Sequence, residues 1–211
     1  MIRIETLIFN PFQVNTYLLS NEKGEAIVVD PAFTEGPEQE GFDRLIVDRG
    51  YRLCGQLNTH CHVDHLLGVM HLKNEYELPL RAHKEELMLV RNARQMGEMF
   101  GLTIPGFEAI DVYLEDGEQI LLGEDEIRAI HVPGHSPGSL AFLVPESRFV
   151  ITGDALFRGS IGRTDLPGGN YDTLIAAIQT RLLSLPPEYL IYPGHGPSST
   201  IGRERNENPF L

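Results

Sequence analysis

Apolar positions near the start of the chain recur with a period of two. Ile2 and Ile4, then Leu7 and Ile8, alternate with polar residues, the pattern of a strand with one buried face. Asn15–Ser20 and Glu25–Asp30 read as further strands, divided by the polar turn Asn21-Glu22-Lys23-Gly24. Ala26-Ile27-Val28-Val29 is an unbroken apolar run, which marks a strand covered on both sides. The period then lengthens. Phe42, Leu45, Ile46 and Arg49 stand at helical spacing before Gly50, so Glu38–Gly50 is predicted as a helix. Leu53–Asn58 follows as a strand, Asp64–Tyr76 as a helix, Pro79–Ala82 as a strand, and Lys84 to Phe100 as a helical stretch. Strands return at Asp111–Leu114, Gln119–Leu122, Asp125–Val132, Ser139–Val144 and Arg148–Gly153. A loop rich in Gly and Pro, Arg158–Asn170, precedes a helix over Tyr171–Leu183 and a strand at Tyr189–Tyr192. The polar tail Gly194–Leu211 is predicted as loop.

Each half of the chain runs strands first and then mixes helices among further strands. No repeat, low-complexity tract or linker divides them. This order predicts a layered α/β fold, two packed sheets with helices outside, in a single domain over residues 1–211. An apolar share of 42% and a charged share of 22% are ordinary for a soluble protein and leave that picture unchanged. Charge narrows it. The net charge of −13 opposes a nucleic-acid or anionic-membrane partner, since both require concentrated Lys and Arg. No apolar run approaches the ~18 residues of a membrane span. Glu5 interrupts the segment where an export signal would carry its apolar core, so a cytoplasmic location with Cys54 and Cys61 reduced is predicted.

The densest chemistry is Thr59-His60-Cys61-His62-Val63-Asp64-His65, directly after a predicted buried strand. His60 and His62 are two apart, so extended chain turns them to one side and Cys61 to the other, as a packed small residue. Asp64 and His65 stand where a helix is predicted to begin, and the turn can carry them toward a second ion. Imidazole nitrogen and carboxylate oxygen are donors that zinc, iron and manganese accept. Singly these are turn and capping residues; grouped at a strand end they read as metal ligands. The context recurs with His135 in Pro133-Gly134-His135-Ser136-Pro137-Gly138, with Asp154 after Phe149–Gly153, and with His195 in Pro193-Gly194-His195-Gly196. Strand ends are where a sheet protein gathers a site from distant sequence.

Asp30, in Val28-Val29-Asp30-Pro31, reads either as a turn residue or as an acceptor that orients the metal loop. His71, His83 and His131 read as surface, packing or helix-start residues. Arg158 and Arg163 lie in the Gly-rich loop after Asp154 and are the candidate cations for an anionic substrate. Leu87, Leu89, Met88, Met96, Met99 and Phe100 form an apolar helical stretch suited to core or dimer contact, or to a lid over the site.

Taken in order, His60, His62, Asp64, His65, His135, Asp154 and His195 resemble the complete ligand set of the metallo-β-lactamase-fold superfamily, over nearly the whole chain. The resemblance implies a four-layer αβ/βα sandwich with its site at one edge of the two sheets. It implies one divalent ion on His60, His62, His135 and Asp154, and a second on Asp64, His65, His195 and a bridging Asp154. Zinc is the first expectation, with iron or manganese as alternatives. Gly153-Asp154-Ala155-Leu156-Phe157 and Gly162-Arg163-Thr164-Asp165 resemble the glyoxalase II (hydroxyacylglutathione hydrolase) branch, and Glu204-Arg205 with Asn208-Pro209-Phe210 is similar to its short bacterial members. Longer members hold glutathione with a Lys and a Tyr from this loop and with a C-terminal helical domain; the loop positions here are Arg163 and Asp165.

The implied activity is hydrolysis of a small-molecule thioester such as S-lactoylglutathione by a hydroxide shared between two metals, with Asp64 orienting it and Asp154 holding both ions. The Gly-Arg-Thr-Asp loop also resembles persulfide dioxygenases, which would place one iron on His60, His135 and Asp154. A serine hydrolase is opposed by Gly138-Ser139, which lacks the G-x-S-x-G frame. A closed structural zinc module is opposed by a donor set without Cys.

Overall fold

The predicted alternation builds the first sheet. Strands β1 (Arg3–Phe9), β2 (Val14–Ser20) and β3 (Glu25–Val29) form an antiparallel meander, and helix α1 (Pro37–Arg49) carries the chain to β4 (Arg52–Leu57), which lies parallel to β3. The structure is a computed structural model and describes residues 1–104 and 106–211. A lateral unit follows, made of α2 (Val69–Glu75), β5 (Arg81–Ala82), α3 (Leu87–Met99) and β6 (Val112–Tyr113). The second half contains β7 (Gln119–Leu122), β8 (Asp125–His131), β9 (Leu140–Val144), β10 (Phe149–Gly153) and the small hairpin β11 (Leu156–Phe157) with β12 (Ser160–Ile161). Helix α4 (Tyr171–Ala177) continues as a π-turn over Ile178–Leu182 before β13 (Leu190–Pro193), β14 (Ser199–Thr200) and α5 (Ile201–Glu207). The second sheet runs β14-β13-β10-β9-β8-β7, with β10 and β13 parallel and the other neighbours antiparallel.

The two-residue period decides which core each strand residue enters. Tyr17, Leu19, Ile27 and Val29 point between the sheets, against Ile127, Ala129, Phe142 and Ile151. Their neighbours Leu18, Ala26 and Val28 point outward onto Phe42 and Ile46 of α1 and Leu72 of α2. On the other sheet, Ile130, Ala141, Leu143 and Val150 are covered by Leu174, Ala177, Ile178 and Ile201. Helices, sheet, sheet and helices therefore form four layers, the fold class expected. Each buried Leu, Ile or Phe in them contributes ~1.5–3 kcal/mol by leaving water. A fourth cluster, with Val63, Leu66, Val69, Val90 and Ala93, docks α3 beside the loop that follows β4. Among the described residues, no helix is long and apolar enough to cross a membrane.

Three expectations need correction. The helix expected over Asp64–Tyr76 is a 3-10 turn at Val63–His65 followed by α2. The carbonyls of Asp64 and His65 accept hydrogen bonds from the side-chain amides of Asn10 (3.1 Å) and Asn58 (2.9 Å) instead of from helical N–H groups. The helical stretch expected from Lys84 opens as a 3-10 turn at Lys84–Glu86, with α3 proper beginning at Leu87. The tail expected as loop contains β14 and α5. Thr200 caps α5 by accepting from the Arg203 N–H at 3.1 Å, and Ile201 enters the outer core. Buried Glu204 accepts from the Gly159 N–H (2.7 Å) and the Asn208 amide (2.9 Å), which ties this tail to the β11–β12 hairpin.

Candidate metal centre

Every sequence-selected donor leaves the C-terminal end of a strand. The chain after β4 supplies His60, His62, Asp64 and His65, that after β8 supplies His135, that after β10 supplies Asp154, and that after β13 supplies His195. Two glycines let these ends close up. Gly153 has φ +50°, and a Cβ there would lie 2.4 Å from Thr59 Oγ1. A Cβ on Gly194 would lie 2.1 Å from Asp154 Oδ1, so no side chain is possible beside that carboxylate.

The donors fall into two groups. In the first, His135 Nε2 lies 3.3 Å from His60 Nε2 and 2.9 Å from His62 Nδ1. For His135 and His60 the far side of the ring fixes the tautomer. His135 Nδ1 donates to the Arg163 carbonyl at 2.8 Å. His60 Nδ1 lies 3.1 Å from Thr59 Oγ1, whose own proton goes to Asp30 Oδ2 at 2.7 Å. The two Nε2 atoms therefore present lone pairs to each other. Their spacing is close to the ~3.3 Å edge of a tetrahedron with metal–nitrogen bonds of about 2.0–2.1 Å. Burial and the adjoining imidazoles hold His60 well below the ordinary histidine range and lower His62 to about 4, so both rings are neutral.

The second group mixes carboxylates and imidazoles. His195 Nε2 lies 3.5 Å from Asp64 Oδ2 and 3.5 Å from Asp154 Oδ2. His65 Nε2 lies 3.7 Å from Asp64 Oδ2 and 3.6 Å from Asp154 Oδ1. His195 Nδ1 donates to the Phe12 carbonyl at 3.0 Å, which again turns Nε2 inward. Burial opposes protonation of both rings, but the carboxylates outweigh it and raise His65 to about 9 and His195 to about 10. Burial likewise opposes ionisation of Asp64 and Asp154, yet His65 and His195 hold both below the usual carboxylate range. Asp154 Oδ2 also lies 3.7 Å from His135 Nε2, so this carboxylate borders both groups.

The donor set fits divalent cations. Among the described residues, His60, His62 and His135 form one potential ligand triad, and Asp64, His65 and His195 form another. His62 Nε2, both ring nitrogens of His65, and Asp154 Oδ1 are buried without a hydrogen-bond partner. Buried polar atoms are rarely left so, and His65 Nε2 and Asp154 Oδ1, 3.6 Å apart at the centre, indicate a missing charged partner.

Behind the donors stands a set of buried polar residues. Asp30 accepts from the Thr59 N–H and hydroxyl, both at 2.7 Å, and its Oδ2 lies 3.2 Å from His65 Nδ1. Asp30 thus lies behind the His60–His65 loop. Glu86, Asn10, Asn15 and Asn58 were missed by sequence reasoning. Glu86 is fully buried and accepts from the Cys61 N–H and the Gly138 N–H, both at 2.7 Å, so it joins the His60–His65 loop to the His135 turn. Only its place among the acids of a helix start marked it. Asn15 donates to the Pro193 (2.9 Å) and Gly196 (2.8 Å) carbonyls and steadies the His195 loop; its signal was a polar residue inside a strand with no exposed position.

The remaining candidates lie at varied distances from the centre. Arg163 borders it, but its guanidinium is exposed and paired with Asp165 through two 2.8 Å contacts. Arg158 lies on an open shelf with Phe157, Arg163, His195 and Pro197. His71 pairs with Asp43 at 2.8 Å, and His83 stacks on His131 at 4.3 Å, all outside the donor groups. Cys61 is buried in the α3-side cluster, whereas Cys54 is exposed. Adjoining the shelf, with His135, Asp154, Arg163 and His195 common to both, is a chamber of about 300 Å³ whose wall includes Phe12, Leu89, Met96, Phe100 and Leu166.

Comparison with known proteins agrees with this geometry. The chain is 35% identical over 212 residues to hydroxyacylglutathione hydrolase GloC of Haemophilus influenzae, covering 100% of this chain and 98% of the relative. Its fold matches the crystal structure of TTHA1623 in a di-iron-bound form, with TM-score 0.88, 40% identity, and 98% and 100% of the two chains covered. It matches the BLEG-1 B3 metallo-beta-lactamase with TM-score 0.90, 31% identity, and 99% of each chain covered. The family model for the metallo-beta-lactamase superfamily matches residues 9–195, a span that contains every donor named above, and this chain belongs to that superfamily.

Proposed function

We propose that this protein is a binuclear metal-dependent hydrolase of glutathione-type thioesters, S-lactoylglutathione among them. The observation that carries the reading is Asp154, whose carboxylate borders both a neutral imidazole triad and the group of Asp64, His65 and His195. His60, His62, His135 and Asp154 would hold one ion, and Asp64, His65, His195 and Asp154 the other. Zinc, iron or manganese suits this donor set. Such ions, when bound, supply an acidified water and a Lewis acid for the carbonyl oxygen. The similarity to a relative named hydroxyacylglutathione hydrolase supports a thioester as substrate.

The chain's own residues have distinct tasks in this reading. Asp64 accepts a hydrogen bond from the attacking water and aims it at the thioester carbon. Asp154 positions both donor groups at once. The Arg163 and Phe12 carbonyls hold the His135 and His195 rings in one tautomer and orientation. Arg158 and Arg163 bind the carboxylates of the thiol carrier on the open shelf, with Arg163 exchanging Asp165 for substrate. No side-chain nucleophile is required. Burial, with Glu86 beside it, raises the Cys61 thiol well above its ordinary value, so Cys61 is no thiolate nucleophile.

The test is hydrolysis of S-lactoylglutathione by purified protein, before and after chelation and on adding back zinc, manganese or iron. The reading expects loss and recovery of turnover. Turnover that survives complete metal removal contradicts it, as does oxygen uptake with glutathione persulfide in the absence of thioester hydrolysis.

A further inference from the structure

We infer that the chamber over the metal donors is an acyl pocket, and that the preferred substrate carries an apolar acyl chain well beyond lactoyl in size. This inference deepens the thioesterase reading and rests on it. The chamber volume of about 300 Å³, floor included, is room for about ten water-sized atoms, roughly twice what a lactoyl group fills.

The lining is sorted by chemistry. The floor consists of His62, Asp64, His135, Asp154 and His195, where the carbonyl would react. Above it, Leu89, Ala93 and Met96 come from one side of α3, and Leu166 and Pro167 from the loop before α4. Asn92 is the uncharged polar group of this wall, and Arg163, paired with Asp165, stands at the edge that the chamber shares with the shelf. A peptide thiol carrier placed in this chamber would bury carboxylates and an ammonium without partners, at a cost no apolar wall returns. An aliphatic chain loses only water there. The carrier then lies on the adjoining shelf beside Arg158, and the thioester spans the two across the residues they share.

The mouth supports the same occupant. Phe12 and Phe100 meet edge-on across it, with centroids 5.9 Å apart, and both remain substantially exposed. Core packing does not account for two exposed aromatic rings that meet from distant parts of the chain. Phe12 is also positioned by the centre itself. Its N–H donates to Asn10 Oδ1 at 2.9 Å, and its carbonyl takes the His195 Nδ1 proton. The Phe12 backbone is thereby tied to the floor, and its ring stands where an acyl chain would leave it.

The experiment uses the metal-loaded protein and one carrier. Turnover is measured for S-acetyl-, S-butanoyl-, S-hexanoyl- and S-octanoylglutathione, and binding of the matching S-alkylglutathione thioethers by calorimetry. With an acyl pocket, kcat/KM rises about three- to fourfold per added CH₂ until the chamber fills at about six to eight carbons, and thioether Kd falls in parallel. Met96→Gln keeps the side-chain volume and flattens both series. Met88→Gln, on the exposed side of α3, leaves both slopes intact. Flat series in the unmodified protein, or equal effects of the two variants, overturn the inference while leaving the thioesterase reading in place. Chain-length-dependent thioether binding with no hydrolysis of any thioester does the reverse: the pocket stands and the thioesterase reading falls.

Discussion

In the floor of the site, donor rings are held from behind by hydrogen bonds; in the wall above it, side chains are held by packing alone. His135 is tied to the Arg163 carbonyl, His195 to the Phe12 carbonyl, and His60 to Thr59 and through it to Asp30. Leu89 and Met96, by contrast, are partly buried side chains packed against an apolar cluster, and Phe100 is more than half exposed. The difference teaches where this molecule tolerates change. On the proposed reading, a substitution in the floor is expected to lower metal content and rate, and a substitution in the wall to change which acyl group fits while the metal content is kept.

Four experiments sharpen or break that contrast. Asp154→Ala has the largest expected effect, because both donor groups lose the carboxylate between them: hydrolysis is abolished and metal content falls. Full metal content with near-normal turnover in that variant would remove Asp154 from the centre. Next comes Asp30→Asn, expected to lower metal affinity about 10- to 100-fold by releasing Thr59 and the ring it orients. Titration with a competing chelator reads this directly, and Glu86→Gln is expected to fall in the same range by loosening two loops at once. Unchanged affinity in both would mean that the residues behind the floor only fill space.

Substitutions on the shelf come third. Arg158→Ala and Arg163→Ala are each expected to raise KM for a glutathione thioester severalfold with kcat and metal content retained. A change in kcat alone would move these arginines out of substrate binding. The smallest effect is protonic. With carboxylates raising His65 to about 9 and His195 to about 10, both rings carry protons at pH 7 in the metal-free protein. Ligation requires neutral imidazole, so loading releases protons at pH 7, and metal affinity falls as pH is lowered. Calorimetry in buffers of different ionisation enthalpy measures that release, and buffer-independent heats would contradict it.

Much of this was legible in the sequence because period and spacing report local geometry. The alternation in β2 and β3 assigns Leu18 and Val28 to one face and Leu19 and Val29 to the other, as the two separate cores show. Strand, then glycine or turn, then an imidazole or carboxylate is also a local pattern, and it distinguishes His135, Asp154 and His195. What failed was decided by distant partners. Asn10 and Asn58 take the carbonyls that would have continued a helix through Asp64 and His65. Ile201 needs the outer core before α5 can be recognised as more than tail. Glu86 had no pattern of its own, since its two acceptor contacts lie 25 and 52 residues away. The chamber was invisible for the same reason: Phe12, Met96 and Leu166 share nothing along the chain and meet only in three dimensions.

Anomalous diffraction from crystals of the metal-loaded protein is the most direct test of the centre itself. The account predicts one peak among His60, His62 and His135, a second among Asp64, His65 and His195, and the Asp154 carboxylate between them. Loaded crystals with no peak at these side chains, or with the metal bound elsewhere on the molecule, would contradict it.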